Sequence, residues 1–113
     1  MIELAEITGF ERDSGNERKN DKHGVGQFEA EEVFFNQPLL VLEDAKHSDA
    51  EPRFHALGVT HAGRPLHITF TLRLGGTRIR IISARDMHRK ERAIHDKAKQ
   101  IDGQVTAASQ IPD

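Results

Sequence analysis

Strict alternation of apolar and polar positions is clearest in the second half of the chain. Leu66, Ile68, Phe70 and Leu72 alternate with His67, Thr69 and Thr71, and the pattern resumes at Arg78-Ile79-Arg80-Ile81. A period of two marks a strand with one buried face, and Gly75-Gly76 between the two runs marks a hairpin. A tight two-residue loop then pairs Arg73 with Arg78, Leu72 with Ile79, Thr71 with Arg80 and Phe70 with Ile81. In this register Leu66, Ile68, Phe70, Leu72, Ile79 and Ile81 share the core face. His67, Thr69, Thr71, Arg73, Arg78 and Arg80 share the other.

Elsewhere the punctuation is given by caps, glycines and prolines. Glu6 to Glu11 reads as a short edge strand. Asp13-Ser14-Gly15-Asn16 opens a short polar helix that runs to about Lys22 and stops at Gly24. Gln27 to Asn36 forms a second helix, with Phe28, Val33, Phe34 and Phe35 widening its apolar face, and Pro38 ends it. Strands are expected at Leu39 to Glu43, Arg53 to Thr60, Pro65 to Leu74 and Arg78 to Ala84. Ser83-Ala84-Arg85-Asp86 resembles a capping box that starts a last helix to about Ile101, with Met87, Ile94, Ala98 and Ile101 against the sheet. The expected order is β-α-α-β-β-β-β-α, an α+β domain on an antiparallel sheet with two N-terminal helices and one C-terminal helix. Residues 1–102 make one domain, and the polar tail 103–113 is expected to be flexible.

The chain has 113 residues, 36% of them hydrophobic, which suits one compact core. It has no cysteine, so neither a disulfide framework nor a thiolate zinc site is available. No apolar run approaches the length that spans a bilayer, and the acidic start does not read as a signal peptide, so a cytoplasmic protein without membrane contact is expected. Phosphate-loop, dinucleotide and nucleophile-elbow motifs are all missing. A formal charge of −2 conceals a strong asymmetry. Residues 1–57 hold 13 Asp/Glu against 6 Lys/Arg, whereas residues 58–100 hold 3 against 10. The basic half suits phosphate or an acidic protein surface.

Arg73, Arg78 and Arg80 are the sharpest chemical clue. Guanidiniums directly across two strands repel, and their planar forks suit phosphate oxygens. Arg85 and Arg89 extend the patch. The plain alternative is that these arginines pair with acids from the first half or are simply solvated. Seven histidines are present: His23, His47, His55, His61, His67, His88 and His95. Histidine handles protons near neutrality, but no pair has metal-ligand spacing, so no metal and no cofactor are expected. Each histidine taken alone reads first as a surface or capping residue. His23 beside Gly24 fits a helix C-terminus, and His47-Ser48 fits a loop turn.

Several segments, in order and at matching spacing, resemble the BrnT family of toxins. They are Phe10-Glu11-Arg12-Asp13 with Gly15-Asn16, Lys19-Asn20 and Lys22-His23-Gly24-Val25; Glu31-Glu32-Val33-Phe34; His47-Ser48 with Glu51 and Arg53; and Ala56-Leu57-Gly58. Phe70-Thr71-Leu72-Arg73, Ile79-Arg80-Ile81-Ile82-Ser83-Ala84-Arg85 and Met87-His88-Arg89-Lys90-Glu91 complete the set. The resemblance implies a RelE-like fold and metal-independent ribonuclease activity. It also implies a BrnA-like antitoxin partner that binds DNA, so that DNA is met only indirectly, commonly in a two-plus-two assembly. It points to Arg73, Arg80 and Arg85 as stabilisers of phosphate charge, and to His23 and His47 as catalytic proton handlers. Lys19, Lys22, Arg53, Arg78 and Arg89 would grip RNA, Lys19 being a further candidate for proton transfer.

The chain departs from the family pattern by carrying Arg12 where Trp is frequent and His95 where an aromatic is frequent. It contains neither Trp nor Tyr, so base stacking is less available. A catalytically degenerate scaffold that serves only as a co-regulator of an antitoxin is therefore the second functional reading. A stand-alone metal- or DNA-binding module has only the histidine count and local basic charge behind it.

Overall fold

The computed structural model describes residues 6–12, 23–47 and 51–101. Its elements are β1 (Gly9–Glu11), α1 (Gln27–Glu32), β2 (Leu40–Glu43), β3 (Arg53–Val59), β4 (Pro65–Arg73), β5 (Arg78–Asp86) and α2 (Arg89–Ile101), with one-turn 3₁₀ segments at Val33–Phe35 and Ala45–His47. The strands form one five-stranded sheet in the order β1-β5-β4-β3-β2. β2 to β5 are antiparallel neighbours, as the alternation requires, and the hairpin register matches the sequence reading at all four expected pairs.

Several expectations about the architecture are corrected. The sheet is mixed rather than antiparallel, because β1 runs parallel to β5, with Phe10 beside Ile79. Among the described residues there is a single N-terminal helix, α1, in place of two; the expected polar helix before Gly24 lies outside them. The second expected helix is also shorter, since α1 yields after Glu32 to the 3₁₀ turn, and a cis Gln37–Pro38 bond leads into β2. The hairpin loop spans four residues, Leu74 to Thr77, rather than two. Leu74, Gly75 and Gly76 all have positive φ there, and the Thr77 amide donates back to the Arg73 carbonyl.

The sheet is covered on both faces. On one, Phe54, Ala56, Ile68, Phe70, Ile79, Ile81 and Ala84 pack against Val25, Ala30 and Val33. Edge-on and stacked contacts link Phe34, Phe70 and Phe54 at centroid separations of 5.1 and 5.4 Å. Gly58 is the point of closest approach: a Cβ there would lie 2.6 Å from Val33 Cγ1 and 3.2 Å from Leu39 Cδ1. On the opposite face a smaller cluster of Leu40, Leu57, Met87 and Ala98 seats α2 over one end of the sheet. α2 is rotated from its expected setting. Ile94 is 54% exposed, while His95 is buried and its Nε2 lies 2.8 Å from the Pro38 carbonyl as donor. The Ser83–Asp86 capping box is likewise replaced: β5 continues to Asp86, and Glu91 reaches back to the His88 amide at 2.8 Å.

Arg12, the departure noted above, ties β1 to α1. Its Nε and Nη2 donate to the carboxylate of buried Glu31 at 2.6 and 2.5 Å, Gln27 adds a third bond, and the guanidinium stands 4.7 Å over the Phe28 ring. At the other end Arg64 joins the Gly24 carbonyl, Glu29 and Asp86.

Gly58→Ala should destabilise the fold by roughly 1–3 kcal/mol through overpacking against Val33. Urea unfolding followed by circular dichroism measures it, and an unchanged midpoint would mean the 3₁₀ turn yields freely.

Candidate functional site on the polar sheet face

Register decides which side chains meet on the face not covered by α1. Across the strands Arg53, Thr71, Arg80 and Glu11 form one row, and Arg73 with Arg78 the next row outward. On the other side lies the row Leu42, His55, Thr69 and Ser83, followed by Leu40, Leu57, His67 and Arg85. Arg85 could not join this face if β5 alternated without interruption, since it stands five positions, an odd number, beyond Arg80. A bulge resolves the parity: Thr69 pairs with Ser83 while Phe70 pairs with Ile81, so Ile82 is the extra residue. The stripe from Arg73 to His67 runs six residue steps along β4, roughly 20 Å at about 3.4 Å per step.

The arginines of this face have different surroundings. Arg73 lies 3.9 Å from Glu11 and 3.7 Å from Glu51, long contacts for an ion pair that is a third exposed. Arg78 is exposed at the hairpin end. Thr71 is fully buried beneath them and its hydroxyl donates to the Pro52 carbonyl. Arg85 is tied down by four hydrogen bonds. Its Nη1 donates to Glu91 Oε1 at 2.9 Å and to the Asp86 carbonyl at 3.0 Å, and its Nη2 donates to Glu91 Oε2 at 3.0 Å and to His67 Nδ1.

Between the arginines runs a chain of histidines. Asp44 Oδ2 lies 2.8 Å from His55 Nε2, and His55 Nδ1 lies 2.9 Å from His67 Nε2. The Thr69 hydroxyl is 3.2 Å from the same Nδ1. His67 Nδ1 faces Arg85 and, at 3.0 Å, Glu91 Oε2. Burial first, and the neighbouring Arg85 charge second, push the His67 pKa down to about 4. Burial works to raise Glu91, but hydrogen bonds from Arg85 and the His88 amide outweigh it and hold the carboxyl down at about 2. At neutral pH His67 is uncharged and Glu91 is ionised.

The sequence-predicted residues divide accordingly. Arg53, Arg73, Arg78, Arg80 and Arg85 share the face, and exposed Arg89 opens α2 close to Glu91. His23 is exposed and sits apart, next to Gly24 at the Arg64 corner. His47 ends the 3₁₀ turn that follows Asp44; Lys19 and Lys22 lie outside the described residues. Sequence reasoning singled out neither His55 nor His67 as a site residue. The usable signal was parity, which already placed His67 on the arginine face. Among the described residues no group of histidines and acids has metal-binding geometry. A separate cleft of about 220 Å³, lined by Ile7, Thr8, Gly9, Phe10, Phe34, Phe35 and Ile79, is apolar and offers no titratable side chain.

Residues 13–91 match the family model described as ribonuclease toxin, BrnT, of type II toxin-antitoxin system. That range covers most of the chain, including α1, all of β2 to β5 and the start of α2, so this chain belongs to the BrnT family of ribonuclease toxins. The search of curated proteins returned no match. Membership carries with it an RNA target and an antitoxin partner.

Stability should fall on acidification. Because the folded state holds His67 at about 4 against the usual 6.5, the unfolded chain takes up this proton first, and stability declines from about pH 6.5 down to 4. Glu91 adds a further loss below its usual 4.5, as pH falls toward 2. In urea titrations His67→Gln should remove the upper part of this decline and leave the lower part. A decline between pH 6.5 and 4 that is identical in the variant would refute the assignment.

Proposed function

We propose that this chain cleaves RNA without a metal ion, thereby arresting translation and growth, and that a cognate antitoxin neutralises it by covering the arginine face. The observation that carries the reading is the stripe of Arg53, Arg73, Arg78, Arg80 and Arg85 on one sheet face, with histidines set into it. Such a surface suits a single strand of phosphates. In the reaction the ribose 2′-oxygen attacks the adjacent phosphorus, the bond to the 5′-oxygen breaks, and the 2′-hydroxyl proton passes to a base while the leaving oxygen gains one. Arg73, Arg80 and Arg85 offset the negative charge that builds on the phosphate. Lys19, Lys22, Arg78 and Arg89 add backbone contacts. His23 and His47 remain proton-transfer candidates on the strength of the family resemblance.

In this reading the fold is RelE-like, the setting is the cytoplasm, and DNA is met only through the antitoxin, in a two-plus-two assembly. A second reading, a toxin-like scaffold that has lost turnover and only tunes its antitoxin, is favoured by one observation. All four Nη hydrogens of Arg85 already have acceptors within the protein.

Induced expression of the chain alone, beside Arg80→Ala, separates the two. Growth arrest with RNA decay is expected, and the variant should slow RNA decay about a hundredfold. Harmless expression of the folded wild-type chain would favour the scaffold, and full toxicity of a folded Arg80→Ala protein would remove Arg80 from the site.

A further inference from the structure

With both rings neutral, hydrogen-bond direction along the histidine chain is set from its Asp44 end. A carboxylate only accepts, so at Asp44 the His55 Nε2 carries the proton. His55 Nδ1 then presents a lone pair, which His67 can meet at 2.9 Å only by donating from Nε2. His67 Nδ1 is thereby left as an acceptor, and it accepts from Arg85 Nη2. Donation runs in one direction, from Arg85 to His67 to His55 to Asp44. The 3.0 Å approach of His67 Nδ1 to Glu91 Oε2 is, in this state, a contact of two acceptors bridged by the guanidinium.

One added proton reverses that logic. Placed on His67 Nδ1, it donates to Glu91 and leaves one of the two Arg85 Nη2 hydrogens without its acceptor, the other staying on Glu91. Placed on His55 Nδ1, it forces His67 Nε2 to accept, and the His67 proton again moves to Nδ1. Both routes end with His67 turned from Arg85 to Glu91. The hydrogen of Nη2 that points away from the Glu91 fork lies beside the Nε hydrogen, and together these two make the side-on edge of a guanidinium. Among the described residues nothing accepts from Arg85 Nε. The outcome of protonation is one free, two-pronged donor edge next to His55, Thr69 and Ser83, of the shape that phosphate accepts bidentately.

We infer that His55 and His67 form a proton-operated latch that positions Arg85, closing its side-on edge when neutral and opening it to a phosphate when the pair takes up a proton. The inference rests on the RNA-binding reading above for the identity of the ligand. The groups that face the pair are Asp44 from the loop after β2, Thr69 from β4, Arg85 from β5 and Glu91 from α2. Burial and the Arg85 charge keep His67 neutral in the free protein, so the latch rests closed. An arriving phosphate supplies the negative charge that favours the protonated form, and RNA binding therefore draws in a proton.

The test uses the purified full chain and a fluorescein-labelled 2′-O-methyl RNA hexamer, which cannot be cleaved, at constant ionic strength between pH 7.5 and 5. Wild-type affinity should tighten about tenfold as pH falls, with proton uptake visible as a buffer-dependent binding enthalpy. His67→Gln cannot titrate, so it should bind at pH 7.5 yet lose most of the tightening. The variant keeps every other histidine of the chain, which separates the latch from a general change of charge. Full tightening in a folded His67→Gln protein overturns the latch and leaves RNA binding intact. Absence of wild-type binding at every pH overturns the ligand assignment instead, and the latch is then judged by long-range ¹H–¹⁵N spectra of the histidines. Nε2–H tautomers of both rings at pH 7.5, with His67 Nδ1 gaining the proton on acidification, support it; an Nδ1–H tautomer of His67 at pH 7.5 overturns it.

Discussion

The polar face depends on one backbone irregularity, the extra residue Ile82 that β5 inserts opposite β4. Strand parity is unforgiving: a single step moves every later side chain to the opposite face. Before the bulge, Ile79 and Ile81 point into the core while Arg78 and Arg80 point out; after it, Ala84 points in and Arg85 out. The core and the candidate site are thus satisfied by one strand with two phases. The same shift sets Arg85 opposite His67, and Glu91 from the first turn of α2 completes the knot.

Much of this was legible in the sequence wherever alternation was clean. The β4–β5 pairing and the sharing of one face by Arg73, Arg78 and Arg80 follow from period-two patterning bounded by Gly-Gly. The bulge was not legible, because Ile82-Ser83 carries no glycine and both residues suit a regular strand. Parallel pairing of β1 with β5 is a long-range choice that three residues cannot announce. The helix start was misplaced because Ser83-x-x-Asp86 and the true pair, His88 with Glu91, are both acceptable caps. The true one wins because continuing β5 to Asp86 earns pairing with Leu66. His95 fills a place on the inner side of α2 that Ile94 was expected to hold, which a polar ring achieves by donating to a buried carbonyl.

Charge is arranged at two scales. The segregation of acidic and basic residues along the chain is partly cancelled in space: Arg64 meets Glu29, and Arg73 approaches Glu11 and Glu51. The plain alternative reading of the arginines is therefore correct for some of them. What survives is local. The stripe keeps its positive character at the hairpin end, through Arg78, while at the α2 end it is balanced by Glu91. A strand of RNA would meet an open end and a guarded end.

The sheet also ends abruptly. Its two edge strands, β1 and β2, have three and four residues, so a neighbouring chain that tried to extend the sheet would gain few backbone bonds at either margin. A partner that met the faces instead would be met by side chains. Encounters of that kind are steered over long distances by charge and weaken as salt screens it.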